Sequence, residues 1–190
     1  MVFLEEDNMD VFEAVLQRRS VRAYTDEAVP REKLDKVLEA ARVAPTARGT
    51  QPWHFVVVTD NEKRKVLAKG RYAKFLAETP VVIVALGDKE ASSDWYAVDV
   101  ALAVENMILT AQAEGLCTCC VGSFDESEVR KTVKASDNYE VILMLALGYP
   151  KEKLDVANKL LHLVRPRKSL EQVVSEEEFG KNYLAKKEKG

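Results

Sequence analysis

The sequence predicts a central sheet covered by helices, and three observations predict it. Short apolar, β-branched runs at 54–58, 81–86, 117–121 and 141–148 alternate with segments whose apolar residues recur every three or four positions. The run "VVIVAL" at 81–86 is apolar without alternation, the pattern of a strand buried on both faces. The chain has 190 residues, 47% hydrophobic and 31% charged, which suits one globular domain with a substantial core. These patterns leave strand order and direction open.

The elements follow in order. Asp10 can cap a helix on which Phe12, Val15 and Leu16 share a face. Its pattern stops at "RRSVR", 18–22. Pro30 fits the first turn of a second helix, where Leu34, Val37, Leu38 and Ala41 line one side. Pro45 ends it, and a loop runs to Trp53, before the strand "HFVVV" at 54–58. Asn61 to Glu78 reads as helix with an interruption at Gly70. After the strand at 81–86, Asp94 is expected to cap a helix over 95–113. That helix is apolar nearly all round, with a narrow polar stripe through Asp99, Asn106 and Thr110, which predicts burial against a second subunit. Gly115 stops it. A strand over 117–121, a helix from Asp125 to Lys134 and a strand over 141–148 complete the pattern. From 151 onward the chain is charged and thin in apolar residues, so the tail is expected to dock on something, a partner chain included.

Bulk properties exclude several classes. A net charge of −3 gives no whole-molecule attraction to nucleic acid, so any anion recognition must be local. Asp99, Glu105, Asn106 and Gln112 break the longest apolar helix, so no membrane span is expected. The opening "MVFLEEDNMD" is acidic and unlike a signal peptide, which makes the cytoplasm the expected location. The three cysteines, Cys117, Cys119 and Cys120, are odd in number and read as free thiols, with Cys117 and Cys119 on one strand face and Cys120 on the other. With His54 and His162 as the only histidines, far apart in sequence, no metal site is expected.

Three segments carry chemistry. In "RRSVR", Arg18, Arg19, Ser20 and Arg22 either complement a helix dipole or fan around a phosphate monoester. "RPRK" at 165–168 offers Arg165 and Arg167 from an extended, proline-stiffened run, or else a solvated basic patch. "PTARGTQPW" at 45–53 is stiffened by Pro45 and Pro52 and freed at Gly49, and reads as an ordered loop or as one presenting polar groups to a flat ring. Tyr72, Trp95 and Phe124 could wall a substrate face or belong to the core. His54 reads as a packed or capping residue.

These segments together resemble the nitroreductase family of FMN-dependent oxidoreductases. The family opening Arg-x-Ser-x-Arg/Lys is matched by "RRSVR", and Pro-Ser-x-x-Asn-x-Gln-Pro-Trp is closely matched by "PTARGTQPW". "ALGYPKE" at 146–152 and "RPRKSLEQVV" at 165–174 resemble its closing elements, so the likeness spans about residues 11–174 in the expected order.

The resemblance implies an α+β fold with a mixed, largely antiparallel sheet flanked by helices. It implies one domain over 1–190, in a domain-swapped type of homodimer with FMN at the interface and the 175–190 tail on the partner. Arg18, Arg19, Ser20 and Arg22 would hold the FMN phosphate, ribityl chain and pyrimidine edge, with Arg165 and Arg167 completing the phosphate site. Pro45, Thr46, Ala47 and Gly49 would line the ring from the partner subunit, with Gln51 beside it. Val121, Gly122 and Ser123 would bring backbone amides near flavin N5, and Arg22 would stabilise charge at N1. The implied activity is ping-pong hydride transfer from NAD(P)H through N5 to a nitroaromatic or quinone, with no catalytic side chain. An FMN-storing or sensing protein with little turnover is the alternative. Two positions depart from the family pattern: its serine is Thr46 here, and its asparagine is Gly49, which loses a side-chain amide expected to bond the flavin.

Overall fold

The computed structural model describes residues 9–151 and 167–183. The chain divides into two compact units, Met1–Asp155 and Val156–Gly190. The first is built on four strands: β1 (Trp53–Val58), β2 (Val81–Asp88), β3 (Cys117–Val121) and β4 (Tyr139–Gly148). Their spatial order is β1-β2-β4-β3 and every pair is antiparallel. Ser20 adds a parallel bridge to Thr118, so the sheet is mixed and largely antiparallel, as expected.

Strand β2 is buried along Val81–Gly87, and its alternation divides the interior in two. Val82, Val84 and Leu86 join Met144, Ala146, Cys119 and Val121 in one core. Helix α3 (Asn61–Leu67), a 3₁₀ turn at Lys74–Ala77 and helix α5 (Glu126–Val133) cover that side through Leu67, Leu76 and Val129. Val81, Ile83, Ala85, Leu145 and Leu147 face the other core. There they meet Leu34, Val37 and Ala41 of α2 (Arg31–Arg42) and Val100, Val104 and Met107 of α4 (Tyr96–Ala113). Burying each large side chain contributes roughly 1.5–3 kcal/mol, whereas the exposed ion pairs such as Arg31–Asp35 add little.

One expectation is corrected. Asp94 does not cap α4: the N-cap position belongs to Trp95, which makes no side-chain bond. The preceding turn already supplies acceptors, since Tyr96 N–H donates to the Ser92 carbonyl at 3.1 Å and Asp99 N–H to Trp95 at 2.8 Å. The polar stripe of α4 also faces inward and not to solvent. Asp99 is buried, and the half-buried Asn106 donates to the Ala40 carbonyl at 3.0 Å. The exposed side instead carries Ala97, Val98, Ala101 and Leu102. The segment expected as helix over 61–78 with an interruption at Gly70 is α3 plus a separate 3₁₀ turn, with the break around Gly70.

In the second unit, Ser169 and Gln172 form a capping box on a 3₁₀ turn at Leu170–Gln172, and Ser175 bridges Asn182. Leu170, Val173, Phe179 and Tyr183 are exposed. No helix among the described residues is long and apolar enough to cross a membrane.

Gly148 leaves β4 against Pro80 and Tyr24; a Cβ there would lie 2.6 Å from Pro80 Cγ and 3.1 Å from Tyr24 Cδ1. Gly148→Ala should therefore lower the unfolding free energy by about 1–3 kcal/mol, read as a reduced urea midpoint at unchanged slope.

Candidate cofactor site

Helix α1 (Val11–Gln17) is capped by Asp10, whose Oδ1 accepts from Phe12 N–H at 3.1 Å, and it ends at Arg18. Arg19 turns back on the helix: its Nη1 donates to the carbonyls of Leu16 at 2.6 Å and Arg18 at 2.8 Å. Its charge thus lies at the negative end of the helix dipole. The chain then runs extended beside β3, with Val21 N–H donating to the Thr118 carbonyl at 3.0 Å. Val21 is buried and Arg22 is exposed, the alternation of a strand. Tyr24 anchors the segment: it is buried, its hydroxyl donates to the Val21 carbonyl at 2.7 Å, and it bridges Pro150. Burial pushes its phenol far above the usual range, so it stays a neutral donor.

The thiols of β3 report what surrounds them. Burial pushes the Cys119 thiol up, while Arg22, the Ser20 hydroxyl and Arg18 pull it down. Cys120 lies on the open side of β3. Yet desolvation of its sulfur, then Cys119 and Glu105, push its thiol up to about 11, with Arg18 opposing. Arg18, Ser20 and Arg22 are therefore gathered along β3, one or two residues from its end.

At that end Val121 is buried, so only its backbone can face a ligand. Gly122 is exposed, and a Cβ there would meet nothing within 4 Å, leaving open space above the backbone. Ser123 is fixed from below by Gly70, where a Cβ would lie 2.0 Å from the Ser123 carbonyl oxygen. Only glycine lets the two backbones meet so closely. A cavity of about 390 Å³ opens beside this contact, lined among others by Lys69, Arg71, Ser123 and Phe124.

The loop at 45–51 sits elsewhere on the protomer. Its Ala47 N–H donates to both carboxylate oxygens of Asp99, each at 3.2 Å. Arg48, Gly49 and Gln51 all take left-handed backbone, with φ of 56°, 70° and 46°. Asp99 and Glu105 lie six residues apart on α4, about 9 Å along its axis and roughly 120° around it. The loop thus meets α4 at Asp99, while Cys120 of β3 has Glu105 of α4 nearby.

The predicted residues sort accordingly. Ser20 and Val21 pair with Thr118 of β3, Arg18 and Arg22 lie near enough to act on the Cys119 thiol, Arg19 bonds the helix end, and Val121, Gly122 and Ser123 stand at the end of β3. Pro45, Thr46, Ala47, Gly49 and Gln51 form the separate left-handed turn. Arg167 is exposed in the second unit, and Arg165 and His162 lie outside the described residues. Tyr72 and Trp95 are exposed, Phe124 packs at the margin of the first core, and exposed His54 stands edge-on to Tyr139 at 5.8 Å. Gly70 and Asp99 were missed as site residues. A carboxylate in the narrow polar stripe of an apolar helix was the available signal for the second. Among the described residues no three His, Cys, Asp or Glu side chains lie together as metal ligands.

Residues 10–184 match the family described as "Putative TM nitroreductase". The chain belongs to the nitroreductase family. It is 32% identical over 149 residues to a "Putative NADH dehydrogenase/NAD(P)H nitroreductase" of Archaeoglobus fulgidus, covering 74% of this chain and 86% of that protein. A crystal structure under the same description from Parabacteroides distasonis is 30% identical, with a TM-score of 0.78 over 89% of this chain and 98% of that one. An FMN-dependent nitroreductase from Clostridium difficile is 29% identical, with a TM-score of 0.74 over 87% and 98%. The nitroreductase fold expected from the motifs is therefore the fold observed.

The raised thiol of Cys120 makes it a poor nucleophile at neutral pH. Moving from 9.0 to about 11 lowers its thiolate fraction about 100-fold. Peptide mapping after brief iodoacetamide treatment at pH 7.5 should find Cys120 alkylated at about a hundredth the rate of an unperturbed cysteine, and faster as pH rises.

Proposed function

We propose that this nitroreductase is an FMN-dependent oxidoreductase that takes a hydride from NAD(P)H and delivers it to an electron-poor acceptor such as a nitroaromatic or quinone. One observation carries this reading: Arg18, Ser20 and Arg22 line up beside a strand that ends in the bare, open backbone of Gly122. That donor set fits FMN. Guanidinium groups and a hydroxyl suit a phosphate monoester, and a glycine with free space above it admits a flat ring close to backbone N–H groups. The likeness to an FMN-dependent nitroreductase supports the same assignment.

Bound FMN would supply the hydride chemistry, accepting from the nicotinamide and giving to the acceptor in turn. The protein's residues bind and orient. Arg18 and Ser20 hold the phosphate and ribityl chain, joined by Arg165 and Arg167 as the family pattern implies. Arg22 places a cation against the pyrimidine edge, where it stabilises negative charge on reduction. The amides of Gly122 and Ser123 offer donors at the ring. Ser123 is kept in place by its close contact with Gly70. The thiols play no part, because Cys119 and Cys120 are held protonated.

A homodimer belongs to this reading. α1 packs beside α4, and together they expose Phe12, Leu16, Val98 and Leu102 at 67%, 49%, 48% and 43%. Such a patch on adjacent helices marks a surface that association covers. A second protomer laid there would also bring a second 45–51 turn, and with it the ring-lining residues Pro45, Thr46, Ala47 and Gln51.

The purified protein should show flavin absorption or acquire it on adding FMN; a colourless protein that takes up no FMN overturns the assignment. Arg18→Ala should raise the FMN Kd about 10- to 100-fold, or roughly 1.5–3 kcal/mol, the scale of a charge-assisted hydrogen bond. Leu102→Asp, which puts a charge into the apolar patch, should shift sedimentation from dimer to monomer and release flavin with it. A dimer unaffected by that change would place the interface elsewhere.

A further inference from the structure

Asp99 is a buried carboxylate that the proposed chemistry does not use. It is 2% exposed, on a helix whose other inward residues are largely apolar. It stands in the first turn of α4, at the positive end of the helix dipole. A buried charge persists only where hydrogen bonds replace water. Here the Ala47 N–H lies 3.2 Å from both oxygens.

The bond has a consequence for the turn it reaches. Three of the four residues Arg48–Gln51 are left-handed, and two of these are not glycine. That backbone is costly for Arg48 and Gln51 and persists only when the surroundings hold it. The turn's own bonds are few. Thr50 Oγ1 and Thr50 N–H donate to the Ala47 carbonyl at 3.0 and 3.2 Å, Gly49 N–H to the Thr46 carbonyl at 3.4 Å, and Gln51 N–H to Thr46 Oγ1 at 3.5 Å. The charge-assisted bond from Ala47 to Asp99 ties this strained turn to a rigid helix. Gly49 adds no side chain to help, although a Cβ there would meet nothing within 4 Å.

We propose that Asp99 is a positioning residue for flavin: through the Ala47 amide it holds the 46–51 turn in the shape that receives the ring. This rests on the FMN reading above, and it assigns to α4 a role in the site as well as in the dimer face. Val98 points outward and Asp99 inward from consecutive positions, so one helix carries both.

The test uses the full-length protein and two variants. Asp99→Ala removes the acceptor; Asp99→Asn keeps one neutral oxygen in nearly the same shape. Two readouts are needed: the rate of tryptic cleavage after Arg48 in flavin-free protein, followed by mass, and the FMN Kd from quenching of flavin fluorescence. For Asp99→Ala, cleavage after Arg48 should rise about tenfold or more and the FMN Kd should rise about as much, with dimer mass and far-UV dichroism unchanged. For Asp99→Asn both effects should be about fivefold or less, because the charge-assisted bond becomes a neutral one. If Asp99→Ala fails to fold, the intermediate effect of Asp99→Asn on both readouts carries the test. Unchanged cleavage in the folded variants overturns the proposal, as does faster cleavage with an unchanged Kd. Failure of the wild-type protein to bind FMN would instead overturn the FMN reading itself.

Discussion

Strand β2 is buried on both faces from Val81 to Gly87, and the first unit is arranged to cover it. Its two sets of side chains demand two separate layers, because alternate residues point in opposite directions. α3 and α5 close one side, and α2 and α4 the other. Antiparallel partners on both edges, β1 and β4, satisfy its backbone. With β2 enclosed, the sheet needs only modest help at its margins. The Ser20–Val21 segment supplies that beside β3.

That marginal pairing is also what assembles the site. α1 is only seven residues long, so its C-terminal carbonyls lie close to the sheet edge. Cations are favourable there, and Arg19 takes the helix-end role outright. Its neighbours are carried past the helix into extended backbone. Ser20 and Val21 therefore arrive beside β3. Of the two readings of "RRSVR", Arg19 takes the helix-end one, and the phosphate role of Arg18, Ser20 and Arg22 belongs to the proposed FMN site.

α4 joins the two halves of the proposed site. Asp99 and Asn106 face inward, to the Ala47 amide and the Ala40 carbonyl, beside the buried Val100, Val104 and Met107, while Val98 and Leu102 face out. Asp99 and Asn106 satisfy backbone groups of the loop and of α2. Val98 and Leu102, with Phe12 and Leu16 of α1, form an exposed apolar surface. A helix apolar nearly all round in sequence is thus divided by its neighbours into a core side, an anchoring stripe and an exposed apolar face.

Periodicity and turn chemistry were legible from residues alone. The four strands, the cap at Asp10, the helix faces of Leu34, Val37 and Ala41, and the two-sided burial of 81–86 are local signals, carried by which side of an element is apolar. Motif order was enough to name the family and hence the fold. What local pattern omits is what meets each side. Gly70 brings its backbone against Ser123, and Asp99 turns inward to an amide 52 residues earlier in the chain. Asp94 looked like a cap until the turn before α4 provided its own acceptors. The sequence by itself determined the elements and the chemistry available, because both depend on near neighbours. Only the tertiary structure decided which arginine serves the helix and which carboxylate holds the turn, because those choices depend on backbone groups brought close by packing.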